Sequence, residues 1–75
     1  MNVYCGRDFS TTEIARIVQL MADNPRYHRA DLSREVCRIL QWYKADGGLK
    51  EMSCRVAMLR MHADGLIVLP APRRT

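Results

Sequence analysis

Apolar residues recur at helical spacing in three stretches of this chain, and polar or Pro/Gly-rich breaks separate them. The first stretch opens on Phe9-Ser10-Thr11-Thr12-Glu13-Ile14. Ser10 is placed to cap a helix, Glu13 to reach back to it, and Phe9 and Ile14 stand at the hydrophobic-staple positions. Ile14, Ile17, Val18 and Met21 then form one stripe, and Asn24-Pro25 ends the helix. Tyr27-His28-Arg29 reads as a connector or a short strand. A second helix is expected from about Ala30 to Gln41, with Leu32, Val36, Ile39 and Leu40 inward. Trp42 and Tyr43 close it, Trp42 as a core or hinge aromatic. Lys44-Ala45-Asp46-Gly47-Gly48 is a turn whose glycines permit unusual dihedrals.

The third stretch, about Leu49 to Ala63, is apolar on two faces. At about 100° per residue, Met52, Val56, Leu59 and Ala63 share one face, which is assigned to the core. Cys54, Ala57, Met58 and Met61 share the opposite face. Lys50, Ser53, Arg60 and Asp64 occupy one flank; Glu51, Arg55 and His62 occupy the other. A helix apolar on two faces is usually buried on both. Gly65 suits a left-handed C-terminal cap. Leu66 to Leu69 reads as a strand, stopped by Pro70 and Pro72. The order predicts a mainly α fold: a three-helix, winged-helix-like (helix-turn-helix) domain with a short C-terminal β-strand. Its expected divisions are a loose segment over 1–8, the domain over 9–69 and a basic Pro/Arg tail over 70–75.

With 75 residues the chain has room for one thin core. Charged residues make up 27% and apolar residues 48%, a balance that excludes disorder by composition. No apolar run is long enough to span a bilayer, and no secretory pattern opens the chain. Cys5, Cys37 and Cys54 are odd in number and widely spaced, so they read as reduced thiols of a cytoplasmic protein. The net charge of +4 is uneven. Residues 1–25 carry two basic against three acidic side chains, whereas residues 26–75 carry ten against five. Ten of the twelve basic residues are arginine, which contacts phosphate bidentately. A basic surface of this kind favours polyanions.

The third helix in a recognition position would present Lys50, Ser53, Arg55 and Arg60 to a major groove. Arg26, Arg29, Arg34, Arg38 and Lys44 would hold phosphates, which position a protein without specifying sequence. Arg34 and Arg38 also read as a repelling pair tolerated on a solvated face. Arg73 and Arg74 could follow the backbone or enter a minor groove. Against this reading, the Cys54/Ala57/Met58/Met61 face offers few donors to base edges. That face would suit a protein interface or homodimer seam, since methionine adapts to varied apolar partners. In the alternative, Val3, Tyr4 and Phe9 fold back and cover it. No metal is expected, because Cys5, Cys37, Cys54, His28 and His62 lack the paired spacing of a zinc site. No catalytic residues, cofactor or small-molecule substrate are expected either. Cys54 and His62 stand about two helical turns apart, beyond hydrogen-bond reach.

Gly6-Arg7-Asp8-Phe9, Leu32-Ser33-Arg34-Glu35-Val36-Cys37, Gly48-Leu49-Lys50-Glu51-Met52-Ser53-Cys54-Arg55 and Gly65-Leu66-Ile67-Val68-Leu69-Pro70 arrive in an order that resembles the N-terminal region of the DruA-like family. That family is associated with the Druantia anti-phage system and with transposase-like genes. The resemblance covers nearly the whole chain, and in the family this region opens a much longer protein. It implies a bacterial or phage setting and a helix-turn-helix-like module. It supplies no catalytic residue. The expectation is therefore a double-stranded DNA-binding module of a mobile-element or defence protein. The rival is a protein-interaction module or small phage-type inhibitor.

Overall fold

Two consecutive left-handed residues, Cys5 (φ 52°) and Gly6 (φ 74°), turn the N-terminus back on itself. Both central residues of a type I′ hairpin need positive φ. The result pairs β1 (Val3–Tyr4) with β2 (Arg7–Asp8) antiparallel, with Val3 opposite Asp8 and Tyr4 opposite Arg7. The computed structural model describes residues 2–71. Within them the chain is mainly helical, the hairpin being followed by α1 (Thr11–Asp23), α2 (Arg29–Leu40) and α3 (Glu51–Ala63). The segment expected to be loose over 1–8 is thus a hairpin from Val3 to Asp8. Its turn pair allows a tight reversal, and Tyr4 anchors it in the core.

Helix α1 begins as its sequence directs. The Glu13 amide donates to Ser10 Oγ at 3.1 Å and the Ser10 amide to Glu13 Oε1 at 3.0 Å, a complete capping box. Phe9 and Ile14 are both buried beside it. Ile17 is fully buried, Met21 half-buried, and Val18 faces solvent. No strand forms at Tyr27–Arg29. His28 is instead the N-cap of α2, and its amide donates to Asp31 Oδ2 at 3.0 Å. Helix α2 buries Leu32, Ser33, Val36 and Cys37, while Ile39 and Leu40 are only half-buried.

The orientation of α3 reverses the expectation. Cys54, Ala57, Met58 and Met61 are at most 2% exposed, whereas Met52, Leu59 and Val56 stand in solvent at 69%, 47% and 37%. Ala63 is exposed as well. The interface proposed for Cys54, Ala57, Met58 and Met61 is therefore the core face. Backbone approach supplies the reason. Helix α2 packs against α3, and Ser33 and Cys37 on the one and Cys54 and Ala57 on the other are small and buried. The Cys54 thiol donates to Met58 Sδ at 3.8 Å, and the Cys37 thiol is buried on α2. Helix separation follows the size of the side chains at the contact, so Val56 and Leu59 there would hold the helices apart. Burial pushes both thiols above the ordinary cysteine range. Tyr4 and Phe9 complete the cover, as the fold-back alternative required, while Val3 remains exposed.

The connection between α2 and α3 is a small hairpin. Gln41 ends α2 in the left-handed region, Tyr43 bridges Leu49, and Gly47 (φ +90°) makes the turn. Trp42 meets Phe9 edge-on at 5.6 Å, and the Arg7 guanidinium lies 4.7 Å over Phe9. At its other end α3 closes in a Schellman motif: the Leu66 amide donates to the Met61 carbonyl at 2.9 Å and the Gly65 amide to the His62 carbonyl at 3.1 Å.

The C-terminal strand expected over Leu66–Leu69 pairs with no other strand among the described residues. The run is extended and alternates as a strand would, with Ile67 and Leu69 buried and Leu66 and Val68 outward. It is spent on closing the core rather than on a ladder. The Leu69 amide donates to His62 Nδ1 at 3.1 Å, and Arg29 Nε donates to the Pro70 carbonyl at 2.8 Å.

Candidate nucleic-acid interface

The inversion of α3 determines what solvent meets. Its outward line runs Met52, Val56, Leu59, Ala63. Arg60 and Ser53 lie on one flank, and Arg55 and His62 on the other, each arginine about 70° from the line at ideal helical pitch. Lys50 stands at the N-cap and is exposed, as are Arg55 and Arg60; Ser53 is half-buried. The structure thus gathers Lys50, Ser53, Arg55 and Arg60 around one exposed helix.

The start of α3 differs from the starts of α1 and α2. Lys50 (φ −78°, ψ 56°) provides no side-chain cap, so the first amides of α3 lack the acceptor that Ser10 supplies to α1. A helix N-terminus carries a partial positive charge on such amides. Lys44, Leu49, Lys50, Glu51, Met52 and Ser53 line a concavity of about 420 Å³ beside it. Lys44 reaches this place because its side chain lies across Gly48; a Cβ on Gly48 would stand 3.1 Å from Lys44 Cε. Glu51 is the acidic member of the lining. Arg34 Nη1 lies 3.6 Å from Glu51 Oε1, and the same guanidinium is shared with Asp31 at 2.8 Å.

The charge census separates two kinds of arginine. Arg34 is paired to Asp31 at 2.8 Å as well as to Glu51, Arg38 is paired to Glu35, and Arg7 to Glu13 at 2.8 Å. The Arg7 guanidinium and the Ser10 amide hold the Glu13 carboxyl down at about 2. The His28 amide, with Arg34 nearby, keeps Asp31 below the usual carboxylate range. Lys44, Lys50, Arg55 and Arg60 have no acidic partner within 4.0 Å among the described residues. Arg34 and Arg38 therefore belong to neutralised clusters, whereas the cations around α3, like Arg16, Arg26 and Arg29, have no acidic partner among the described residues. Arg73 and Arg74 lie outside the described residues.

No family model, curated protein or solved structure matches the chain. A concavity of about 480 Å³ between the C-terminal half of α1 and residues 65–70 has no charged side chain in its lining. It offers no hold for a polyanion. No helix among the described residues is long and apolar enough to cross a membrane.

The residues misassigned from sequence are Met52, Val56, Leu59 and Ala63, placed in the core and found along the exposed face. A signal for the true orientation was present. Cys54 and Ala57 place two small residues on one face of α3, as Ser33 and Cys37 do on α2.

Proposed function

We propose that this chain is a double-stranded DNA-binding module of a bacterial or phage mobile-element or defence protein, as its DruA-like resemblance implies. In this reading it is a variant of the helix-turn-helix plan, with a small hairpin between α2 and α3 and with α3 in the recognition position. The observation that carries the reading is the concentration of unspent positive charge around one exposed helix. Lys44 and Lys50 flank an uncapped N-terminus, and Arg55 and Arg60 stand on opposite sides of the helix that follows. Amides at a helix N-terminus and paired lysines suit a phosphate. Arginines on both flanks suit the two phosphate walls of a groove that admits a helix. Arg34 and Arg38, held by acids, contribute less than their charge suggests.

The test is fluorescence anisotropy of a mixed-sequence duplex at several salt concentrations. Affinity should fall steeply with salt. Lys50→Ala and Arg55→Ala should each lower the slope of log K against log salt by about 1, and Arg38→Ala should leave it nearly unchanged. Absence of binding at low salt would refute the reading.

A second reading, a protein-interaction module, is favoured by the exposed Met52, Val56 and Leu59. It moves the interface from the buried Cys54 face to the outward one. It predicts a complex insensitive to salt and lost on Met52→Glu.

A further inference from the structure

The outward face of α3 carries its cations on the flanks and, at its centre, no hydrogen-bonding group. Met52, Val56 and Leu59 are exposed there, and Ala63 continues the line. A helix that reads bases by hydrogen bonds needs Arg, Asn, Gln or an acid at this centre, and this one has none. The edges of base pairs in the major groove present one apolar group, the C5-methyl of thymine. We propose that α3 reads thymine methyl groups through Met52, Val56 and Leu59, so that this protein prefers T-rich duplexes. The proposal rests on the DNA-binding reading above.

Charge and length both fit. With α3 in the groove, Arg55 and Arg60 face opposite phosphate walls while the apolar line faces the floor. Met52 to Leu59 spans about 10 Å along the helix, roughly three base-pair steps at 3.4 Å each. A short thymine run therefore offers as many methyls as the stripe can cover. The exposed apolar side chains gain a partner that buries them, which a helix surrounded only by phosphates would not supply. An acidic amphipathic protein helix would also match this face; the experiment separates it.

The experiment compares one T-rich duplex with the same duplex carrying uracil for thymine, which removes the methyls and keeps the base pairing. Both are titrated with the 75-residue protein. Uracil should weaken binding by about four-fold or more, the effect of one fully buried methyl, with the salt slope unchanged. A G·C duplex should bind more tightly when its cytosines carry 5-methyl groups. The Met52→Ser/Val56→Ser/Leu59→Ser triple variant alters only exposed positions, so it should keep the wild-type helical spectrum. It should bind the thymine and uracil duplexes equally, with the wild-type salt slope. Equal affinity of the wild-type protein for thymine and uracil duplexes overturns the proposal and leaves DNA binding standing. A methyl preference that survives in the triple variant also overturns it, because the methyls are then sensed elsewhere. Failure to bind any duplex at low salt overturns both readings and leaves the stripe to a protein partner.

Discussion

Met58 and Met52 lie on one helix and differ in exposure from 2% to 69%. Truncation should separate them sharply. Met58→Ala opens a cavity in the α2–α3 seam and should cost about 2–5 kcal/mol, while Met52→Ala should stay within about 0.5 kcal/mol. Urea unfolding of the two variants measures both, and equal costs would contradict the orientation of α3. Glu13 sets an acid limit in the same way. Its carboxyl is ordinary in the unfolded chain, at about 4.5, and held to about 2 in the fold by Arg7 and the Ser10 amide. A depressed carboxylate stabilises the fold above its unfolded value, and that contribution is lost as pH falls toward the folded one. The melting temperature should therefore drop between about pH 4.5 and pH 2, with Asp31 adding to the same trend. Glu13→Gln should melt lower at neutral pH and show a shallower acid limb.

The helices end and begin by different devices, and each has a separate cost. Helix α1 satisfies its first amides itself through Ser10 and Glu13. Helix α3 leaves its first amides without a side-chain acceptor, which weakens the element and keeps it receptive to an anion. Its C-terminus is closed firmly instead. Gly65 sits at φ +80°, and a Cβ there would meet no neighbouring atom, so Gly65→Ala is penalised only by the left-handed backbone. The expected loss is about 1 kcal/mol in thermal or urea unfolding. A larger loss would mean that the Schellman turn directs residues 66–70 as well as closing the helix.

Across the whole molecule, residues 66–70 act as the lid of the core. Ile67 and Leu69 are buried, His62 and Arg29 hold the segment by its backbone, and α1 faces it across the apolar groove. In a chain this short no other layer can replace those side chains. A chain ending at Gly65 should lose cooperative thermal unfolding by circular dichroism even though all three helices remain in its sequence. A cooperative transition near the full-length temperature would show that the lid is dispensable. Acidic side chains neutralise Arg7, Arg34 and Arg38, while Lys44, Lys50, Arg55 and Arg60 gather around α3 without an acidic partner among the described residues. That distribution, more than the total of +4, makes α3 the candidate interface.

Local chemistry made much of this legible in the chain itself. Ser10 and Glu13, Asn24-Pro25, the paired glycines at 47 and 48 and the Gly65 stop act within a few residues, so they mark the same boundaries in any tertiary setting. The first two helices show one dominant apolar stripe each, and packing follows it at Ile14, Ile17, Leu32 and Val36. The third helix has two stripes of similar hydrophobicity, so periodicity has no means of choosing between them. The choice fell to packing between helices, where Cys54 and Ala57 on α3 and Ser33 and Cys37 on α2 are buried and small enough to let backbones approach. The hairpin at Val3–Asp8 escaped notice because its turn, Cys5-Gly6, asks a non-glycine residue to accept positive φ. The run at Leu66–Leu69 has the alternation of a strand, but a ladder needs a second strand. Tertiary packing supplied a core to close instead, and with it decided which face of α3 was left to solvent.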